Sequence, residues 1–524
     1  MSARISCLKV MQILAAVLFM LAGFMTAMST SYAQTGNWSQ PVLLSDPRGP
    51  SGWFPDIFAD AAGRIHVVWS STVGMGNNNS TPGHDVVMYT TSQDGQVWSK
   101  PLDITAIAQE RGSEATRPTV LVDGQGIFHL DYRYTDVFYV QAPAESVASQ
   151  VPRLSPRRVS TAGIAYFSRL ALDRHGRLHL ILTQMVSDPT NTACPACYHV
   201  FHRRSDDNGL TWSSPTDISV LGTGSAKPQV VIDSKDNIYV VWEAGAGGSY
   251  GHVVDPVKVM YTASYDRGET WATPVEFVAP NGAAKDISIG LDGEDKLVVA
   301  WLGLPEHLVY YQFSRDQARS WSPPQPIPGI WGASLSYESV HDDFAMATDG
   351  AGKVHLVLVG RTTADQKTTS LLHLIWDGAA WSEPEAITTL TGDVPEWPRI
   401  SIGLGNRINV VWFVRDKEHI WDTDHGRYSI WYAQGIAQAP ALAPVTWPTP
   451  TPKVAVAETS TPTPTAAPTP TPTLAADLER APIPAGTTEV IFTESDDLLL
   501  LVKSLAPAAL LIAAVVIVVH LRRR

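Results

Sequence analysis

Cationic and acidic side chains recur at one point of a repeating sequence unit. They occur as Phe54-Pro55-Asp56, Arg117-Pro118, Ser168-Arg169, Lys227-Pro228, Lys285-Asp286, Asp342-Asp343 and Pro398-Arg399. The guanidinium group suits a two-point grip on a carboxylate or a sulfate. Arg117, Arg169, Lys227, Lys285, Asp342 and Arg399 are therefore candidate ligand-binding residues. Asp56, Asp286 and Asp343 could instead supply the acid and base that break a glycosidic bond. A third reading is plain solvation, because a polar channel rim needs charge whatever the channel does.

The elements that position these residues follow from two repeats. The first begins at an Asp after an apolar run, makes a tight turn and enters a second apolar strand. It starts at Asp60, Asp123, Asp173, Asp233, Asp292 and Asp349, and a last copy is reduced to Arg407-Ile-Asn-Val-Val-Trp412. The second is Ser205-Asp206-Asp207-Asn208-Gly209-Leu210-Thr211-Trp212, repeated at Ser264–Trp271 and more loosely at Ser92–Trp98, Ser314–Trp321 and Trp376–Trp381. In such a string the Asp accepts bonds from turn N–H groups, the Gly takes a positive φ and the Trp buries its ring between sheets.

A period of 50 to 63 residues belongs to propeller blades. The expectation is an all-β, seven-bladed β-propeller of four-stranded antiparallel blades over residues 34–436. The seventh unit lacks a fourth strand, and Trp38-Ser39-Gln40-Pro41-Val42 is a fourth strand without the preceding three. The N-terminal strand is therefore expected to close the ring and remove its free edges. Strand order puts the tight turns on one face. The long segments 71–84, 103–116, 244–256 and 414–427 fall on the other, where the charged residues above gather.

The S-x-D-x-G-x-T-W string resembles the Asp-box, or BNR, repeat of the sialidase-type β-propeller superfamily. That resemblance implies carbohydrate binding, or cleavage using three arginines on a carboxylate, a Tyr–Glu nucleophile pair and an Asp acid. The carry-over stops early. The first inner strand reads Trp53-Phe54-Pro55-Asp56, without the family's Arg-Ile-Pro, and Arg117, Arg169 and Arg399 do not keep the family's spacing. Binding of an extracellular glycan or other anionic ligand is the first reading. A sialidase-type exo-acting glycoside hydrolase, or a lyase, on the same face is the alternative, and a protein-binding adhesion or assembly factor is a second one. No cofactor and no metal is expected.

The remaining features bear on location. Residues 1–33 read as a signal peptide, with Arg4 and Lys9 before an apolar run and Ser31-Tyr32-Ala33 before the expected cleavage point. A Thr/Pro-rich stalk covers 437–497, and a transmembrane helix is expected within 498–521, where the apolar Leu505–Leu521 would span about 25 Å. Arg522-Arg523-Arg524 form a cytoplasmic tail. Together these predict a single-pass protein of the cell membrane with its body outside and the membrane as a partner. The formal charge of −13 becomes −15 without Arg4 and Lys9, which argues against nucleic acid.

Three minor motifs have structural readings. Cys194-Pro195-Ala196-Cys197 is expected to be a local disulfide, because no βαβ context surrounds it as a redox motif would require. His66, His129, His179 and His355 share one position on four different repeats, so they read as hydrogen-bonded strand residues and not as metal ligands. Asp422-Thr-Asp424-His-Gly426 lacks the downstream Glu of a calcium loop. Asn37, Asn78 and Asn79 head Asn-x-Ser/Thr glycosylation sequences.

Overall fold

The computed structural model describes residues 37–46, 51–73, 84–105, 115–149, 156–161, 164–192, 194–220, 222–247, 252–333, 344–389, 393–416 and 428–447. The expected signal peptide, the stalk beyond 447, the membrane span 498–521 and the tail lie outside these, as do Asp342, Asp343, Asn78, Asn79 and Asp422–Gly426.

Among the described residues, five separate four-stranded antiparallel sheets are present. One joins β1 (Val42–Leu43) to β28 (Tyr428–Ile436), β27 (Arg407–Asp416) and β26 (Asp393–Gly403). The next holds β2 (Gly52–Ala59), β3 (Ile65–Val73), β4 (His84–Ser92) and β5 (Leu102–Asp103). Then come β6 (Thr116–Val122), β7 (Ile127–Tyr134), β8 (Asp136–Pro143) and β9 (Arg157–Arg158), with the short helix α1 (Ala144–Ser149) after β8. The fourth contains β10 (Ala165–Leu172), β11 (Leu178–Ser187), β12 (Ala196–Ser205) and β13 (Thr216–Asp217). The fifth contains β14 (Gly224–Ile232), β15 (Ile238–Gly247), β16 (Val253–Ser264) and β17 (Val275–Phe277).

Among the described residues the expected seven separate blades are not found. The residues from 284 to 389 form a single eight-stranded sheet. It comprises β18 (Ala284–Leu291), β19 (Leu297–Gly303), β20 (Leu308–Ser314), β21 (Gln325–Gly332), β22 (Ala345–Thr348), β23 (Val354–Arg361), β24 (Ser370–Trp376) and β25 (Glu385–Thr389). The junction is β21, which pairs Trp331 with Arg361 and Gly332 with Gly360 of β23. Two glycines allow it: a Cβ on Gly332 would meet Leu302 at 2.4 Å, and one on Gly360 would meet the Trp331 carbonyl at 2.7 Å. The count is therefore five separate four-stranded blades, and pairing of this kind leaves no mark in a repeat period.

The expected single-pass membrane placement is corrected too: among the described residues no helix is long and apolar enough to cross a membrane.

The inner strands β2, β6, β10, β14, β18, β22 and β26 pack side by side in that order, and β26 returns to β2. β1 completes the last sheet through Val42↔Tyr432 and Leu43↔Trp431. The repeated Ser-x-Asp strings form tight turns. Ser92, Ser205, Ser264 and Ser314 accept the N–H of Gly95, Gly209, Gly268 and Ala318 at 2.7–2.9 Å. Gly209, at φ +79°, sits so close to the Tyr139 hydroxyl that a Cβ there would lie 2.2 Å from it. Four tryptophans pack against the neighbouring sheet, Trp98 on Tyr432, Trp212 on Tyr139, Trp271 on His202 and Trp321 on Tyr261, and Trp381 packs on Tyr311 within the eight-stranded sheet. Buried aromatic area between sheets is what holds such a ring together.

After β28 the chain crosses the tight-turn face. The N–H of Ala437 donates to Asn406, Leu442 to Leu404 and Val445 to Ala61, and Trp447 packs over Gly126. Residues 437–447 thus belong to the body, where a stalk was expected to begin.

Candidate functional site

Each inner strand with described pairing at its start slips register near its entrance on the loop-rich face. The shifts lie between Trp53 and Asp56, Thr116 and Thr119, Ala165 and Ser168, Ala226 and Gln229, Lys285 and Ser288, and Glu396 and Arg399. Five of these bulges hold a non-glycine residue at positive φ: Phe54 at 50°, Arg117 at 53°, Lys227 at 48°, Asp286 at 54° and Trp397 at 52°. Such a conformation costs on the order of 1–3 kcal/mol, and it persists only where the surroundings hold it. The bulge also re-aims the side chain, so residues that alternation would assign to either face of a strand turn toward the axis.

Arg117 is buried with its guanidinium carbon 4.1 Å from the centre of the Phe54 ring and 4.2 Å from that of Tyr166. Arg133 lies 4.4 Å over Tyr166. Phe54 meets Trp397 edge-on, and Phe167 stacks on Trp397. Arg399 lies 4.3 Å over the Trp397 ring, and Arg169 lies 6.0 Å from its centre. Arg117, Arg169 and Arg399 therefore share one aromatic cluster at the axis. An aromatic face attracts a cation, and part of each guanidinium is also bonded locally: Arg117 donates to the Thr116 hydroxyl at 3.2 Å, Arg169 to the Ser168 carbonyl at 3.3 Å and Arg399 to the Pro398 carbonyl at 2.8 Å.

Two acids enter this cluster. Asp56 accepts from the Val120 N–H at 2.9 Å and lies 4.0 Å from the Arg399 side chain. Burial raises its pKa, against the pull of Arg169 and Arg399. Asp131 is fully buried; one oxygen is bonded to the Ser168 hydroxyl at 2.5 Å and the other to Thr119 at 2.6 Å. Burial pushes its pKa up to about 7, opposed by those hydrogen bonds and by Arg169.

A second group adjoins the first. Lys227 Nζ bonds Asp286 at 2.7 Å and stands 3.3 Å from Glu243, and Lys285 lies 3.5 Å from Asp286. Glu243 also accepts the Asp286 N–H at 2.8 Å, and burial raises its pKa. His252 borders the aromatic cluster: its ring meets Phe167 at 5.5 Å and Tyr166 at 6.2 Å, and burial, then Lys227 and Arg117, lower its pKa. Asp56, Arg169, Lys285 and His252 keep part of their surface in solvent.

Of the residues expected at the mouth, then, Asp56, Arg117, Arg169 and Arg399 meet around the aromatic cluster, and Lys227, Lys285 and Asp286 form the adjoining group. Asp342 and Asp343 lie outside the described residues. The aromatic component was missed. So were His252 and the buried pair Glu396–Arg415, in which Arg415 donates to Glu396. The available signal was Trp397-Pro398, which repeats the Phe54-Pro55, Arg117-Pro118 and Lys227-Pro228 step.

The repeated histidines are scaffolding. His66 lies 2.9 Å from Asp60 and from the Tyr89 hydroxyl, His129 bonds Tyr139, and His179 and His355 bond His202 and His373. Cys194 and Cys197 face each other with Cα atoms 5.6 Å apart, within the range for a disulfide.

No family model and no curated protein matches the sequence. Solved structures similar to it include a polysaccharide lyase (an ulvan lyase), at 11% identity and TM-score 0.48, covering 77% of this chain and 97% of that one. NanB sialidase from Streptococcus pneumoniae matches at 12% identity and TM-score 0.43, over 76% of this chain and 70% of its own. A protein of unknown function from Dyadobacter fermentans matches at 14% and 0.45, over 76% and 100%. At these scores the likenesses decide nothing about chemistry.

Proposed function

We propose that the axial cluster binds a saccharide carrying a carboxylate or sulfate. The observation that carries this reading is Arg117, held by the rings of Phe54 and Tyr166 with Arg133, Arg169 and Arg399 around the same aromatics. Guanidinium groups fixed in this way suit an oxyanion, and aromatic faces suit the C–H surface of a sugar ring. The acids support binding more than cleavage. Asp56 faces Arg169 and Arg399, and Asp286 is flanked by Lys227 and Lys285. Ion-paired carboxylates of this kind shape and neutralise a pocket.

Hydrolysis has one observation in its favour, an acid poised near neutrality at Asp131 beside Asp56. Both Asp131 oxygens are already engaged by Ser168 and Thr119, which leaves it a supporting group.

The test is titration of the protein with a chondroitin sulfate tetrasaccharide, with cellotetraose as the neutral control and assays for new reducing ends and for new unsaturated ends. Binding of the charged sugar alone, without release, is expected. New reducing ends without unsaturation would move the reading to hydrolysis, and unsaturated ends would move it to a lyase. No binding of either sugar would overturn it and favour a protein partner.

A further inference from the structure

We infer that the mouth takes an internal stretch of an anionic polysaccharide, with the sugar rings on either side of the charged one stacked on Trp53 and Tyr198. This rests on the anion-binding reading above and extends it from one sugar to a chain. The observation behind it is a continuous run of contacts through the cluster. Trp53 stacks on Phe54 with ring centres 5.9 Å apart, Arg117 lies over both Phe54 and Tyr166, and Tyr166 meets Tyr198 at 5.9 Å. The run crosses three sheets, because Trp53 and Phe54 belong to β2, Arg117 to β6, Tyr166 to β10 and Tyr198 to β12. Phe54, Arg117 and Tyr166 in its middle are buried, whereas the rings at its two ends are half-buried. A site for a terminal sugar closes on one side of the charged unit. Here a partly exposed ring stands at each end, and an aromatic face suits the C–H surface of a sugar.

Both end rings are fixed before a ligand arrives. Trp53 also packs on Tyr428 of the adjoining sheet, with ring centres 5.4 Å apart, and its strand slips register between Trp53 and Asp56. Tyr198 directly follows Cys197, and the Cys194–Cys197 link closes the turn before it. Asn191 holds that turn twice, accepting the Cys194 N–H at 3.2 Å and donating to the Gly222 carbonyl at 2.5 Å. The Cys-Pro-Ala-Cys staple thereby positions an aromatic ring at the rim. Rings already held in one orientation lose little freedom when a sugar docks, so more of each contact goes into affinity.

The experiment is the affinity of chondroitin sulfate disaccharide, tetrasaccharide and hexasaccharide for wild type, Trp53→Leu and Tyr198→Leu. Leucine keeps apolar volume for packing and removes the ring face. Wild type is expected to bind the hexasaccharide about a hundredfold more tightly than the disaccharide, roughly tenfold for each stacked ring. Each leucine variant is expected to lose about tenfold on the hexasaccharide and to bind the disaccharide as wild type does. Trp53→Phe and Tyr198→Phe retain a ring and should retain most of the gain with length. Three results overturn the inference and leave anion binding standing: equal wild-type affinity for all lengths, undiminished hexasaccharide binding in both leucine variants, or an equal loss at every length in both. Absence of wild-type binding at every length overturns both.

Discussion

The same residue type behaves in opposite ways on the two faces of the ring. On the tight-turn face, the aspartates of the repeated turns are exposed or half-buried and satisfied by their own loop. Asp94 accepts the Val97 and Gln96 N–H groups, which lower its pKa. Asp207 is brought down to about 2, first by the Thr211 hydroxyl and then by the Thr211 N–H. At the mouth, Asp56 and Asp131 lie among residues from other strands, and burial pushes both upward. A carboxylate that settles its charge within a few residues builds a corner. One whose charge is balanced across strands is placed for something that comes to it.

The sharpest way to break this contrast is to remove one half of a buried pair at the mouth. Glu396 and Arg415 are almost wholly buried, and Glu396→Ala removes the carboxylate to which Arg415 donates. Urea unfolding should show a loss of about 3–5 kcal/mol. A loss below about 1 kcal/mol would mean that water reaches the pair.

The second test uses the sign of the pH dependence. Asp131 has a raised pKa in the folded state, so the stability it contributes is complete below about pH 4 and lost as pH rises toward 7. Asp131→Asn lacks that decline. Its stability relative to wild type should therefore climb between pH 4.5 and pH 8, by on the order of 3 kcal/mol. Asp207, with its lowered pKa, acts the other way: its contribution is complete above about pH 4 and lost as pH falls through 2. A flat difference between Asp131→Asn and wild type would put Asp131 in contact with solvent.

Two smaller effects concern the turn face. Trp447→Ala should cost about 2 kcal/mol by releasing the strap across that face, read as a lower unfolding midpoint. Ser205→Ala removes the hydroxyl that accepts the Gly209 N–H, with an expected cost of about 1 kcal/mol and no effect at the mouth.

What could be read from the sequence divides along the same line. The turns were legible because their hydrogen bonds close within Ser205–Thr211 and its copies, so residue type alone specifies them. Asp56, Arg117, Lys227, Asp286 and Arg399 were legible as positions, because the repeat fixes where each inner strand begins. Their partners were not. Lys227 meets Glu243 and Asp286 across two neighbouring strands, and Trp397 joins Phe54 and Phe167 only because bulges turn all three inward. The β21–β23 pairing that merges two expected blades depends on Gly332 and Gly360, whose tolerance for close backbone approach is invisible in a period.

The most direct measurement is the affinity of the chondroitin sulfate tetrasaccharide for wild type, Arg117→Ala, Arg169→Ala and Ser205→Ala, with the fold of each checked by circular dichroism. Loss of one charge-assisted contact should weaken binding by about ten- to a hundredfold in each arginine variant. Ser205→Ala should bind as wild type does. Unchanged affinity in both folded arginine variants, or an equal loss in Ser205→Ala, would contradict the assignment of the ligand to the mouth.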